Sequence, residues 1–176
     1  MQALILGGAR SGKSRYAETL ALQSGREVVY LATAQAHDAE MQARIQHHRM
    51  MRPVHWQTLE EPLALAAALQ QHARPQRVLL VDCLTLWLTN LLCLDDETRL
   101  HTETTGLLAC LPSLPGDVLL VSNEVGLGVV PLGELTRRYV DHAGWLHQQL
   151  AASVDNVVFM VAGLPYPLKG TVTWNG

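Results

Sequence analysis

Eight residues near the start of the chain, Gly7-Gly8-Ala9-Arg10-Ser11-Gly12-Lys13-Ser14, carry the spacing G-x-x-x-x-G-K-[ST] between an apolar run and a helix-like stretch. Glycines at these places let successive backbone amides curl round phosphate oxygens, and the helix N-terminus adds its positive dipole end. Lys13 is placed to neutralise the β- and γ-phosphates, and the Ser14 hydroxyl to hold Mg²⁺. The run predicts binding of a nucleoside triphosphate. Such a site needs an acid near the metal. Asp82 closes the apolar run Val78-Leu79-Leu80-Val81, so its carboxylate should emerge at the carboxyl edge of a sheet, where ligands collect in open α/β folds. Capping a helix that starts near Leu84 is the alternative use of Asp82. Glu124 stands at the corresponding place after Val118-Leu119-Leu120-Val121-Ser122-Asn123, with a solvated loop acid as its alternative.

A second group of candidates is Arg44-Ile45-Gln46-His47-His48-Arg49. At about 100° per residue on a helix, Met41 and Ile45 share a core-facing side. His47 then lies about 200° from Ile45 and His48 about 60° from it. His47 therefore faces outward, beside Arg44 and Met51. Adjacent histidines diverge too far to chelate one metal readily, and no H-x-x-x-H partner is present. One use of such a pair is a nucleophile toward phosphorus, with Arg44 or Arg49 stabilising charge. The other is a surface imidazole with a half-buried neighbour. The residues alone leave a Mg²⁺-nucleotide-dependent transferase and a hydrolase both open.

The elements that must position these groups are short, continuously apolar runs: Ala3-Leu4-Ile5-Leu6, Val28-Val29-Tyr30-Leu31, Val78 to Val81, Val118 to Val121 and Val157-Val158-Phe159-Met160-Val161. Continuous rather than alternating hydrophobicity predicts strands buried on both faces of a parallel sheet. Val54-His55-Trp56-Gln57-Thr58 alternates and reads as a weaker strand near an edge. Helix-like stretches run over Lys13 to Gln23, His37 to Met51, Glu61 to His72, Leu84 to Leu94, Leu100 to Leu111 and Gly133 to Ala152. Asp95 to Arg99 reads as a solvated loop, and the tail from Pro165 to Gly176 as either a short strand or loose chain. Strand and helix alternate, so the expected fold is α/β: one domain over residues 1–176, with a mostly parallel central sheet flanked by helices.

Composition narrows the function. Of 176 residues, 48% are hydrophobic, 16% charged and 5% aromatic, and the formal net charge is −3. That supplies a full core and argues against a nucleic-acid partner, which calls for a basic footprint or aromatic platforms. No apolar run approaches the roughly 20 residues of a membrane span. The first residues are too briefly apolar for a signal segment. Cys83, Cys93 and Cys110 form no C-x-x-C pair and read as small buried hydrophobes in a reducing, cytoplasmic setting.

With Ala32-Thr33-Ala34-Gln35, Arg44-Ile45-Gln46-His47-His48, Arg52-Pro53 followed by Trp56, Asp82-Cys83-Leu84-Thr85 with Thr89-Asn90, and Ser122-Asn123-Glu124-Val125-Gly126-Leu127-Gly128 after the phosphate loop, the chain resembles the bifunctional adenosylcobinamide kinase/adenosylcobinamide-phosphate guanylyltransferase family of cobalamin biosynthesis. The likeness runs from about Met1 to Gly163. It implies a RecA-like P-loop NTPase domain that phosphorylates adenosylcobinamide with ATP or GTP. The same domain then transfers GMP from GTP to adenosylcobinamide phosphate, giving adenosylcobinamide-GDP. It further implies a covalent guanylyl intermediate on His47, with Lys13 the second catalytic residue. The implied nucleotide site is Gly7 to Ser14, Thr33, Ala34, Gln35, His48, Arg49, Met50, Met51, Glu60 and Asp82, with Ser14 and Asp82 on Mg²⁺ and a homotrimer as the assembly. The stretch from Asp95 to Thr105 is shorter than the family pattern, and the ending from Leu168 departs from it.

Overall fold

The computed structural model describes residues 1–35, 50 and 52–172. Seven strands form one sheet: β1 (Gln2–Gly7), β2 (Glu27–Ala32), β3 (Gln57–Glu60), β4 (Arg77–Asp82), β5 (Asp117–Asn123), β6 (Asn156–Val161) and β7 (Leu164–Lys169). Their order is β3-β2-β4-β5-β1-β6-β7. Every pair is parallel except β6–β7, which is antiparallel. The five apolar runs are all strands, and their continuity has the expected cause, since both faces of the sheet are covered.

Successive residues of β1, β2, β4 and β5 serve opposite cores. Leu4, Leu6, Val29, Leu31, Leu79, Val81, Val118 and Leu120 pack with α2 (Leu65–His72), α3 (Leu84–Cys93), α4 (Glu97–Cys110) and α5 (Glu134–Ser153). Ala3, Ile5, Val28, Tyr30, Val78, Leu80, Leu119 and Val121 pack on the other side with Ala17, Leu20 and Ala21 of α1 (Lys13–Gln23). After β1, α1 carries the chain toward β2 on one side. After β5, α5 carries it across the other face to β6. β1 is thus where the direction of winding changes, the place where open α/β sheets leave a crevice.

Four expectations are corrected. The weak strand is Gln57–Glu60 rather than Val54 to Thr58, because Trp56 donates its amide to the Pro53 carbonyl (3.0 Å) and turns the chain so that its ring is buried against the α1-side core. The helix expected from Glu61 begins at Leu65; Glu61 folds back instead, its Oε1 accepting from the amides of Leu63 (2.9 Å) and Ala64 (2.7 Å). Asp95 to Arg99 is not all loop, since Asp96 accepts from the Arg99 amide (2.9 Å) and caps α4, which starts at Glu97. Cys93 is exposed, whereas Cys83 and Cys110 are buried as expected; all three are free thiols. The tail forms β7 as far as Lys169. The helix expected over His37 to Met51 lies outside the described residues, apart from Met50. No described helix is long and apolar enough to cross a membrane.

Candidate active site

β1 ends at Gly7 with φ 152°, and a Cβ there would stand 2.5 Å from the Met160 carbonyl oxygen and 2.7 Å from Ser11 Oγ. Gly12, with φ 95°, would bring a Cβ to 3.3 Å from Gly163 Cα. Only glycine fits either position without a shift. The loop is clasped from outside by the Gly163 amide, which donates to the Ser11 carbonyl (3.0 Å), and from within by the Ser11 amide on the Gly8 carbonyl (3.3 Å). Ala9 and Arg10 form its exposed lip.

Lys13 opens α1 at 7% exposure, and its Nζ donates to the Gly8 carbonyl (2.6 Å). Burial lowers its pKa, opposed by the charges of Cys83 and Asp82. Burial pushes the Cys83 thiol up to about 11, so at neutral pH that side chain is uncharged. The Ser11 hydroxyl is buried with no hydrogen-bond partner among the described residues. An orphaned donor beside an ammonium resting on a backbone carbonyl is what a phosphate-binding loop offers an incoming oxyanion.

Asp82 ends β4, two strands from β1, at the same edge. Its Oδ2 accepts from the Tyr30 hydroxyl (2.9 Å), leaving Oδ1 without a hydrogen bond among the described residues. Arg52 lies with its Cζ 3.4 Å from the centre of the Tyr30 ring, a cation–π contact. Burial and the Asp82 charge raise the pKa of Glu18, and Arg52 pulls it back. An acid with one oxygen held and one available, near a buried ammonium, suits a hard divalent cation, and Ser14, in the first turn of α1, is the second residue that would hold one.

The Thr33 hydroxyl accepts from the Cys83 amide (3.0 Å) and donates to the Cys83 carbonyl (2.7 Å), while Asn90 Nδ2 donates to the Thr33 carbonyl (2.8 Å). Thr33 is fully buried, so it shapes the edge by tying β2 to β4. Ala34 is half-buried and Gln35 and Met50 are exposed. Glu60 ends β3, four strands from β1, about 19 Å across the sheet at the usual strand spacing. The structure therefore brings together Gly7 to Ser14, Asp82 and Glu124, whose amide donates to the Gly7 carbonyl (2.9 Å). His47, His48, Arg49 and Met51 lie outside the described residues.

Sequence reasoning gave no role to Tyr30, Glu18, Arg52, or the pair Ser122–His147 beneath Glu124. Tyr30 and Arg52 were visible only as a polar tip in an apolar run and a motif residue. A cavity of about 320 Å³ between α4 and α5, lined by residues such as His101, Thr104, His142 and Trp145, contains no phosphate-loop residue.

Residues 3–168 match the family model described as cobinamide kinase / cobinamide phosphate guanyltransferase. The chain belongs to this family. It is 67% identical over 170 residues to the bifunctional adenosylcobalamin biosynthesis protein CobP of Pseudomonas aeruginosa, covering 97% of this chain and 98% of that protein. It is 41% identical to the bifunctional adenosylcobalamin biosynthesis protein CobU of Escherichia coli, over 96% of this chain and all of that one. Among solved structures, the RadB recombinase aligns with a TM-score of 0.53 at 15% identity, over 90% of this chain and 73% of that one. A Pyrococcus horikoshii OT3 protein, Project ID PH0250, aligns at 0.57 and 9% identity, over 96% and 86%. The fold is RecA-like. As a family member the chain is a bifunctional enzyme of adenosylcobalamin biosynthesis, a cobinamide kinase and cobinamide phosphate guanylyltransferase.

Proposed function

We propose that the phosphate loop serves both half-reactions in turn, presenting a different phosphorus atom in each. In the first, the hydroxyl of adenosylcobinamide attacks the γ-phosphorus of ATP or GTP. The bond to the β-bridging oxygen breaks, and the nucleoside diphosphate leaves. In the second, a neutral ring nitrogen of His47 attacks the α-phosphorus of GTP and pyrophosphate departs. A phosphate oxygen of adenosylcobinamide phosphate then displaces the imidazole, giving adenosylcobinamide-GDP.

Lys13 neutralises the phosphates, and the amides from Gly8 to Ser14 orient them. Ser14 and Asp82 are the residues that would hold Mg²⁺, whose chemistry here is neutralisation of phosphate charge. Thr33, Ala34 and Gln35 border the nucleotide, with His48, Arg49, Met50 and Met51 beside the guanylylated ring. Glu60, at its distance from the loop, suits the nucleoside end better than the phosphates.

The observation that carries this proposal is a buried lysine and an orphaned serine hydroxyl in one glycine-built loop, at the same sheet edge as Asp82. The chain leaves this edge at Ala32, the end of β2, and Arg52, which follows the stretch bearing His47 in the sequence, stacks on Tyr30, whose hydroxyl reaches Asp82. The assembly proposed is a homotrimer, and the setting the cytoplasm.

The test is labelling with Mg²⁺ and GTP carrying phosphorus label at the α or the γ position. Acid-labile, alkali-stable protein label is expected from the α position only, and none in His47→Ala. Label from neither position in the wild-type chain overturns the histidine route.

A further inference from the structure

β5 is apolar from Val118 to Val121 and then reaches Ser122, which is 1% exposed yet polar. Its hydroxyl meets Nε2 of His147 (2.8 Å), itself 7% exposed in the middle of α5. Two polar groups buried together need a reason, since an apolar pair of similar size would fill the same space without desolvating either. The reason lies at the other nitrogen. His147 Nδ1 is 3.7 Å from Oε2 of Glu124. Glu124 Oε1 accepts from the Gly126 amide (2.5 Å), and the Glu124 amide is on the carbonyl of Gly7, the first residue of the phosphate loop. Both carboxylate oxygens are thus addressed from behind, and the side chain stays about one-fifth exposed beside the loop (22%).

A neutral imidazole has one donor and one acceptor nitrogen, and its neighbours choose between them. A carboxylate only accepts, so the proton belongs on Nδ1. Nε2 then accepts from the Ser122 hydroxyl. In this tautomer each donor faces an acceptor: Ser122 O–H bonds Nε2, and Nδ1–H points toward Glu124. The 3.7 Å separation is longer than a hydrogen bond, as catalytic contacts often are before substrate binds.

We propose that Glu124 is the general base of the kinase half-reaction and that His147, oriented by Ser122, is its positioning residue. This rests on the kinase reading above. As the acceptor hydroxyl oxygen bonds to the γ-phosphorus and the bond to the nucleoside diphosphate breaks, the hydroxyl proton passes to the Glu124 carboxylate. From there it returns to water through the exposed side of Glu124. Asp82 is less suited to this task, because its oxygen free of Tyr30 is the one that would hold Mg²⁺.

The experiment compares two near-isosteres at His147 in the full chain, assaying adenosylcobinamide phosphorylation with ATP. An asparagine amide nitrogen falls near the position of Nδ1, and a glutamine amide nitrogen near that of Nε2. His147→Asn keeps a donor toward Glu124 and should hold kcat within about threefold. His147→Gln keeps only the Ser122 contact and should lower kcat about tenfold, with KM for ATP unchanged. Glu124→Gln should lower kcat by about 10²-fold, and adding His147→Gln to it should cost nothing more.

A merely structural histidine, there to satisfy Ser122, gives the reverse ranking and overturns the proposal. So does a Glu124→Gln chain with full kcat. Should a histidine variant not fold, Ser122→Ala deletes one oxygen and must still lower kcat without changing KM for ATP; unchanged kcat overturns the relay. Wild-type protein that fails to phosphorylate adenosylcobinamide sinks the kinase reading as well, whereas an active wild type with the reversed ranking sinks this inference alone.

Discussion

Lys13 has its ammonium resting on the Gly8 carbonyl, and in the proposed function it would exchange that acceptor for a phosphate oxygen. Lys13→Met should cut the kinase kcat by at least about 10²-fold while the chain remains folded, as turnover and circular dichroism together would report. Tyr30→Phe removes the hydroxyl on Asp82, a hydrogen bond to a charged group, and should lower stability by about 1.5–3 kcal/mol in urea unfolding. Burial holds the His147 pKa below 6.5 against the pull of Glu124. The unfolded chain then takes up the proton first. The contribution of His147 to stability is therefore complete above about pH 6.5 and declines as pH falls beneath it. The gap in melting temperature between wild type and His147→Asn should narrow between pH 7.5 and pH 5. At this scale the sequence disclosed what is contiguous: the loop and Asp82 announce themselves within eight and five residues. Tyr30 on Asp82 and Ser122 on His147 depend on the register of segments 52 and 25 positions apart, which no local pattern encodes.

Each strand that carries a site residue at its carboxyl end is anchored by helices whose cores were readable from apolar spacing. Trp87 of α3 is fully buried, and its Nε1 donates to the Leu63 carbonyl (2.8 Å), joining α3 to the turn that precedes α2. Trp87→Ala should cost about 3–5 kcal/mol by chemical denaturation, from the lost packing and the cavity left behind. Gly7→Ala acts differently. Its methyl would collide with the Met160 carbonyl, so the first turn of the phosphate loop must shift. Nucleotide affinity should fall at least about tenfold by equilibrium binding, with a smaller loss of stability. Element type was legible wherever hydrophobic period was strong. Boundaries failed where a single side chain overrode the pattern, as Asp96 did by capping α4 and Glu61 by folding back to delay α2. Those outcomes belong to particular hydrogen bonds rather than to composition.

Across the whole molecule, the apolar surface is uneven. Val125, Leu127, Val129, Val130 and Leu132 follow Glu124 along the chain, with Leu132 at 98% exposure. On β7, Leu164, Tyr166 and Leu168 are also uncovered. A trimer that shelters part of this surface should sediment at three times the 19.4 kDa chain mass, and Leu127→Asp should shift it toward the single chain. The sheet's architecture was foreseeable from five apolar runs, but the exposed stretch was not, since apolar residues in a loop look like any others until the rest has folded. One long-range join has an unexpected corollary. Because the turn at Gly163 fastens the carbonyl of Ser11, the last hairpin acts as a buttress for a motif laid down near residue ten. A truncation removing only that hairpin would leave every nucleotide-motif residue in place, yet slacken its grip on the triphosphate.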